Sequence, residues 1–247
     1  MKKVLALIMI GMLAVSVTAC GKAAKSSSSQ KTTDAAETAA AAETTAADTT
    51  AETPEPVMSG GYTDAESPVV TEEVKALFDK AAEKLTGASY VPVAYVSSQV
   101  VAGTNHLLLC KATPTTADPK TTYALVTLYE DLNGGAEITD IRSSEAQAPA
   151  EADEPIDGAS AEAASPEVTD DAKQALTKAT ELLTGATYKP VALLSTQVVN
   201  GMNYTMLCKI TSVTETPEAD YAVVTVYANS DGTAEISESF EFASAQN

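Results

Sequence analysis

Two periodicities follow one another along this chain. Val74, Leu77, Phe78, Ala81, Ala82 and Leu85 return every three or four positions, the spacing of one helix face. Thr71 ahead of them is an N-cap, Glu72 and Glu73 place negative charge at the positive end of the helix, and Gly87 supplies the stop. The pattern then shortens to alternation. Residues 90–101 read as a first strand, with Pro92 near its start, where a missing donor does least harm. Residues 105–113 are a second, with His106, Leu108, Cys110 and Ala112 on an inward face and Leu107 and Leu109 outward. Residues 123–130 are a third, with Ala124, Val126 and Leu128 on one face. Asn133-Gly134 is a strong hairpin signal, and a last strand follows from Ala136.

The whole pattern is written twice. Residues 67–138 align with 165–236 without a gap at a constant offset of 98, and roughly half the positions are identical. Such a duplication preserves loop lengths, so both copies keep one fold. In the second copy Thr169, Asp170 and Asp171 start the helix, Leu176, Ala179 and Leu183 line it, and Gly185 ends it. Tyr204, Met206, Cys208 and Ile210 form the inward strand face, and Asp231-Gly232 is the hairpin before Ala234. The expectation is an α+β fold: two tandem units, each one helix packed on a four-stranded antiparallel sheet. Leu107 and Leu109, with Thr205 and Leu207 in the second copy, offer an outward surface against which the two units, or another protein, pack.

The ends and the composition add the organisation around these units. Lys2 and Lys3 followed by an apolar run read as an export signal over residues 1–20, too short for a spanning helix with proper flanks. Its end, Val17-Thr18-Ala19-Cys20, resembles a lipobox, which implies acylation of Cys20 and a lipid anchor holding the rest of the chain outside the cytoplasm. Residues 21–57 are Ala, Thr, Ser and Glu almost throughout, the composition of a disordered tether. Residues 143–155 have the same character and read as a linker, dividing a first domain over 58–142 from a second over 156–247. The net charge of −19 argues against nucleic acid, which needs a basic stripe.

The chemistry is sparse. His106 is the one histidine, so neither a nucleophilic triad nor a zinc site with ordinary ligand spacing can be assembled; no enzyme, metal or cofactor is implied. Cys110 and Cys208 fall one per copy and share the inward parity of Leu108 and Met206, which reads as buried thiols. The turn from Asp131 lacks the closing acid of a calcium loop and reads as a hairpin.

One resemblance emerges from the order of these pieces. YVPVAYVSSQVVAGTNHLLLCKA, with GGYTDAESPVVTEEVKALFDK ahead of it, resembles the cystatin family, specifically its disulfide-free, stefin-like members, and the second copy repeats the match around QVVNG. The resemblance implies tandem cystatin-like domains whose wedge plugs the cleft of papain-like cysteine proteases. In the first copy the wedge would comprise Gly60 with Gly61, then Gln99, Val100, Val101, Ala102 and Gly103, then Leu132 in the last hairpin. In the second it would comprise Gly158, then Gln197, Val198, Val199, Asn200 and Gly201, then the Ser230-Asp231-Gly232 turn. The chain has no tryptophan for the last hairpin, and the second copy has nothing apolar there, so the first copy is the better inhibitor. The expected test is Gly103→Glu, abolishing inhibition with the fold intact. The competing class is a binding or adhesion module that keeps the scaffold without inhibiting. An extended hairpin of this kind also opens a route to strand-exchanged dimers.

Overall fold

A computed structural model describes residues 61–149 and 158–244. The export signal, Cys20, the tether, Gly60 and residues 150–157 lie outside the described residues. In the first copy β1 (Thr63–Asp64) precedes α1 (Glu72–Ala82), then β2 (Ala88–Val101), β3 (Gly103–Pro114), β4 (Thr122–Glu130) and β5 (Ala136–Gln147). The second copy repeats the series as β6 (Ala161–Glu162), α2 (Asp170–Thr180), β7 (Ala186–Val199), β8 (Gly201–Ser212), β9 (Ala219–Ala228) and β10 (Ala234–Ser244). Both helices start where the caps say they should: Thr71 Oγ1 accepts from the Val74 amide, and Thr169 Oγ1 from that of Ala172, each at 3.3 Å.

The expectation of two separate helix-on-sheet domains is overturned. The strands form one curled ten-stranded antiparallel sheet in the order β1-β2-β3-β4-β5-β10-β9-β8-β7-β6. The seam is β5 on β10, with Phe242 opposite Ser144 and Ser244 opposite Arg142. Arg142 closes it further, its Nη2 donating to Asp220 Oδ2 at 2.7 Å and to the Phe242 carbonyl at 2.9 Å. The seam uses the stretch that composition assigns to a linker: residues 143–147 end β5, with Ser144 and Ala146 buried and Glu145 and Gln147 exposed. That alternation is regular, but serine and alanine are too weakly apolar to announce a strand.

The physical reason for the merger is that β3 and β4 are apolar on both faces. On one face α1 covers Leu108, Cys110, Val126 and Leu128, and α2 covers Met206, Cys208, Val224 and Val226. On the other face Val96, Leu109 and Leu125 pack in one cluster with Leu194, Leu207 and Val223, their equivalents in the second copy. Each such side chain is worth about 1.5–3 kcal/mol when withdrawn from water, and among the described residues neither half has a second helix to cover it. The curl that brings the halves together is aided by bulges in β2 (between Pro92 and Ala94, and between Tyr95 and Ser97) and at the equivalent places in β7.

Where the curled sheet brings its margins together, ion pairs bind them in a reciprocal pattern. Asp64 beside β2 meets Lys209 at 2.7 Å and Lys189 at 3.2 Å, and its equivalent Glu162 meets Lys111, the equivalent of Lys209, at 2.5 Å. The two halves are thus related by an internal two-fold, as in a symmetric dimer joined into one chain.

Candidate functional site

The site predicted from sequence begins at the β2–β3 turn. Val101 lies opposite Gly103 across Ala102, and Gln99 lies opposite Asn105. Gly103 is obligatory there for two reasons. Its φ is +140°, and a Cβ would strike the carbonyl oxygen of Glu130 and come within 2.9 Å of the Tyr129 ring. Gly201 repeats this at φ +137°, against the Ala228 carbonyl and Tyr227. Gly103→Glu therefore cannot be a surface change that spares the fold; the glycine holds the hairpin against the next strand.

Two further bonds hold the turn and a third braces the last hairpin, and each occurs twice. Tyr129 Oη donates to the Ala102 carbonyl at 2.7 Å, and Tyr227 Oη to that of Asn200 at 2.5 Å. Asn105 Nδ2 donates to Gln99 Oε1 at 2.9 Å, and Asn203 Nδ2 to Gln197 Oε1 at 3.0 Å. From the helix, Lys80 Nζ reaches the Gly134 carbonyl at 3.2 Å, and Lys178 Nζ that of Gly232 at 3.0 Å. Sequence reasoning passed over these tyrosines, asparagines and lysines. The available signal was their identity in both copies at the offset of 98.

The last hairpin stands beside the turn because Thr104 pairs with Glu130, the last residue of β4. It is a tight loop: Asp131 Oδ1 accepts from the amides of Asn133 at 2.6 Å and Gly135 at 3.0 Å. Those amides, Gly135 first, hold the Asp131 carboxyl below its ordinary range. The first segment arrives at the same end. Thr63 pairs with Ser98 and Asp64 with Ser97, so Gly61 enters from the turn side of β2. In the second half Gln197 Nε2 donates to the Gly158 carbonyl at 2.7 Å, and Ala161 pairs with Thr196. Among the described residues, each half therefore gathers its glycine segment, its QVVxG turn and its last hairpin at one end.

What the ends present differs. At the first, Val100 is 74 % exposed and Leu132 83 % exposed, with Val101 partly so. At the second, Val198 is 65 % exposed, but Ser230 stands where Leu132 stood. Among the described residues no thiol reaches either end. Cys110, opposite Pro92 and Ala124, and Cys208, opposite Pro190 and Ala222, are both buried and free. Burial pushes the Cys110 thiol far up and that of Cys208 up to about 12, so neither offers a thiolate. His106 is buried under the first end, with Nδ1 2.9 Å from Tyr95 Oη and Nε2 3.2 Å from Glu130 Oε2. Among the described residues no group of three or more His, Cys, Asp or Glu is placed to hold a metal. Chemically, the ends offer pre-ordered backbone rimmed by aliphatic side chains, suited to docking. No protein-family model matches the chain, and no curated protein matches it.

Proposed function

We propose that this chain is an exported, lipid-anchored inhibitor of papain-like cysteine proteases. It would act by docking the first end (Gly61, the turn at Gln99–Gly103 and Leu132) into the protease cleft, with no chemistry of its own. The observation that supports this reading most is the convergence of the three segments that the cystatin resemblance implicates, with Val100 and Leu132 bare at their tips. A turn held by Tyr129 and Asn105, beside a hairpin braced by Lys80, loses little freedom on docking, and burial of the aliphatic tips then supplies affinity.

The test is a titration of papain with the whole exported portion of the chain, against Val100→Asp and Leu132→Asp. Both side chains are exposed, so the variants should unfold at the wild-type temperature and lose inhibition by about 10-fold or more each. Wild-type protein that leaves papain fully active at micromolar concentration would refute the proposal.

A second reading has an observation in its favour. Because a side chain at Gly103 or Gly201 would strike the adjoining strand, folding alone accounts for the glycine of QVVxG. A binding or adhesion module without inhibitory activity needs that glycine equally, and it becomes the better reading if papain is untouched.

A further inference from the structure

The two ends point away from each other. β5 leaves the first end and β10 leaves the second, and the two strands pair antiparallel, so their starting turns lie in opposite directions along the seam. The margins agree independently. Asp64, on the strand that pairs near the first turn, reaches Lys189 and Lys209, near the start of β7 and the end of β8, remote from the second turn. Its equivalent Glu162 reaches Lys111, remote from the first turn. A groove lined by Ala146, Gln147 and Pro149 beyond the seam also includes Gln197, Asn203 and Tyr227, which hold the second turn. The antiparallel relation therefore holds at the seam, at the margins and on the sheet face.

This arrangement is fixed, because the halves share the cluster around Leu109 and Leu207 and are not beads on a string. Along the seam about sixteen strand residues separate the start of β5 from that of β10, roughly 50 Å if the strands ran straight at ~3.3 Å per residue. A globular partner of about 200 residues has a radius of roughly 20 Å, and docked on one end it extends away from the other. Two partners fit at once, and one partner cannot touch both ends.

We propose that the protein is a rigid two-headed binder: each end takes its own papain-like protease molecule, the first end more tightly, with no avidity between them. The proposal rests on the reading given under Proposed function and adds stoichiometry and independence to it. Linking two sites raises apparent affinity only where both can engage one target, and the opposed ends forbid that. The weaker head is the second, because Ser230 replaces the exposed Leu132.

The experiment is light scattering and calorimetry of the whole exported portion with papain capped at its active-site thiol by a small methylthio group. The expected result is a complex of two papain molecules per chain at saturation, in two steps with unequal affinity. Val198→Asp should leave a one-to-one complex with the first step unchanged. Val100→Asp should weaken the tighter step by about 10-fold or more and leave the weaker step unchanged. A wild-type complex that saturates at one papain, unaffected by Val198→Asp, overturns the two-headed proposal while leaving the inhibitory reading standing. Absence of any complex overturns both. Equal unfolding temperatures for the variants exclude misfolding as the cause, both valines being exposed.

Discussion

The turns at Ala102 and Asn200 are held by the same bonds and present different surfaces. A tyrosine hydroxyl grips each turn carbonyl, an asparagine amide meets each glutamine, and a helix lysine braces each hairpin. At the tips, Ala102 faces Asn200 in the comparison, and Leu132 faces Ser230. The residues that keep the ends in shape are retained in both copies, and so are the exposed valines Val100 and Val198, whereas the turn residue and the hairpin tip have diverged. The difference separates scaffold from contact within one molecule, each half serving as the control for the other.

The largest effect should come from dividing the molecule. The segment 61–149 alone would leave Leu109, Leu125 and Tyr123 uncovered, since their cover comes from the second half. It should associate or fail to unfold cooperatively, measured by gel filtration and thermal melting. A monomeric half with a sharp transition would restore independent domains. Next, Leu109→Ala should destabilise by about 2–5 kcal/mol and move a single transition shared by both halves. Two separated transitions would show the halves to be uncoupled.

The glycines sharpen the comparison between turn and hairpin. Gly103→Ala meets backbone at φ +140° and should cost about 2–4 kcal/mol in chemical denaturation. Gly134→Ala, at φ +78° with nothing near its would-be Cβ, should cost only about 1–2 kcal/mol. Equal losses would mean that contact with Glu130 and Tyr129 does not decide the need for glycine. For the ends themselves, Ser230→Leu restores at the second what the first has, and should tighten papain binding there by about 10-fold. An unchanged affinity would remove Leu132 as the basis of the inequality.

The smallest effect lies at the margin. Burial alone would raise the Asp64 carboxyl, but Lys209 and Lys189 together outweigh it and hold the group below its ordinary value. A carboxyl depressed in the folded state contributes stability above its unfolded pKa and loses it as pH falls through the folded one. Asp64→Asn should therefore lower stability at neutral pH by less than about 1 kcal/mol, solvent screening included, and the deficit should shrink below about pH 4 and vanish once pH has fallen through the depressed folded value. A deficit that persisted there would point to packing instead of charge.

The elements of each copy were legible because they are local. Thr71 and Thr169 announced their helices, and the inward parity of Cys110 and Cys208 announced their burial. The gathering of Gly61, the turn and the hairpin was legible only through resemblance, since it depends on strand neighbours far apart in sequence. The pinning bonds were missed because a tyrosine ending β4 looks like any strand aromatic until its hydroxyl is seen on the Ala102 carbonyl.

By itself the sequence determined the duplicated unit of helix and strands and the order of its parts. Periodicity, caps and turn residues act over a few positions, and two copies at one offset confirm each other. Tertiary structure decided that the two units are one. The pattern shows that Leu109 and Leu207 point away from their helices, but not what covers them. Each is covered by the other, through the seam of β5 on β10 and the exchanged Asp64 and Glu162 pairs, and the antiparallel seam turns the two ends in opposite directions. Burial is satisfied by whichever surface fits, and that surface lies a whole repeat away along the chain.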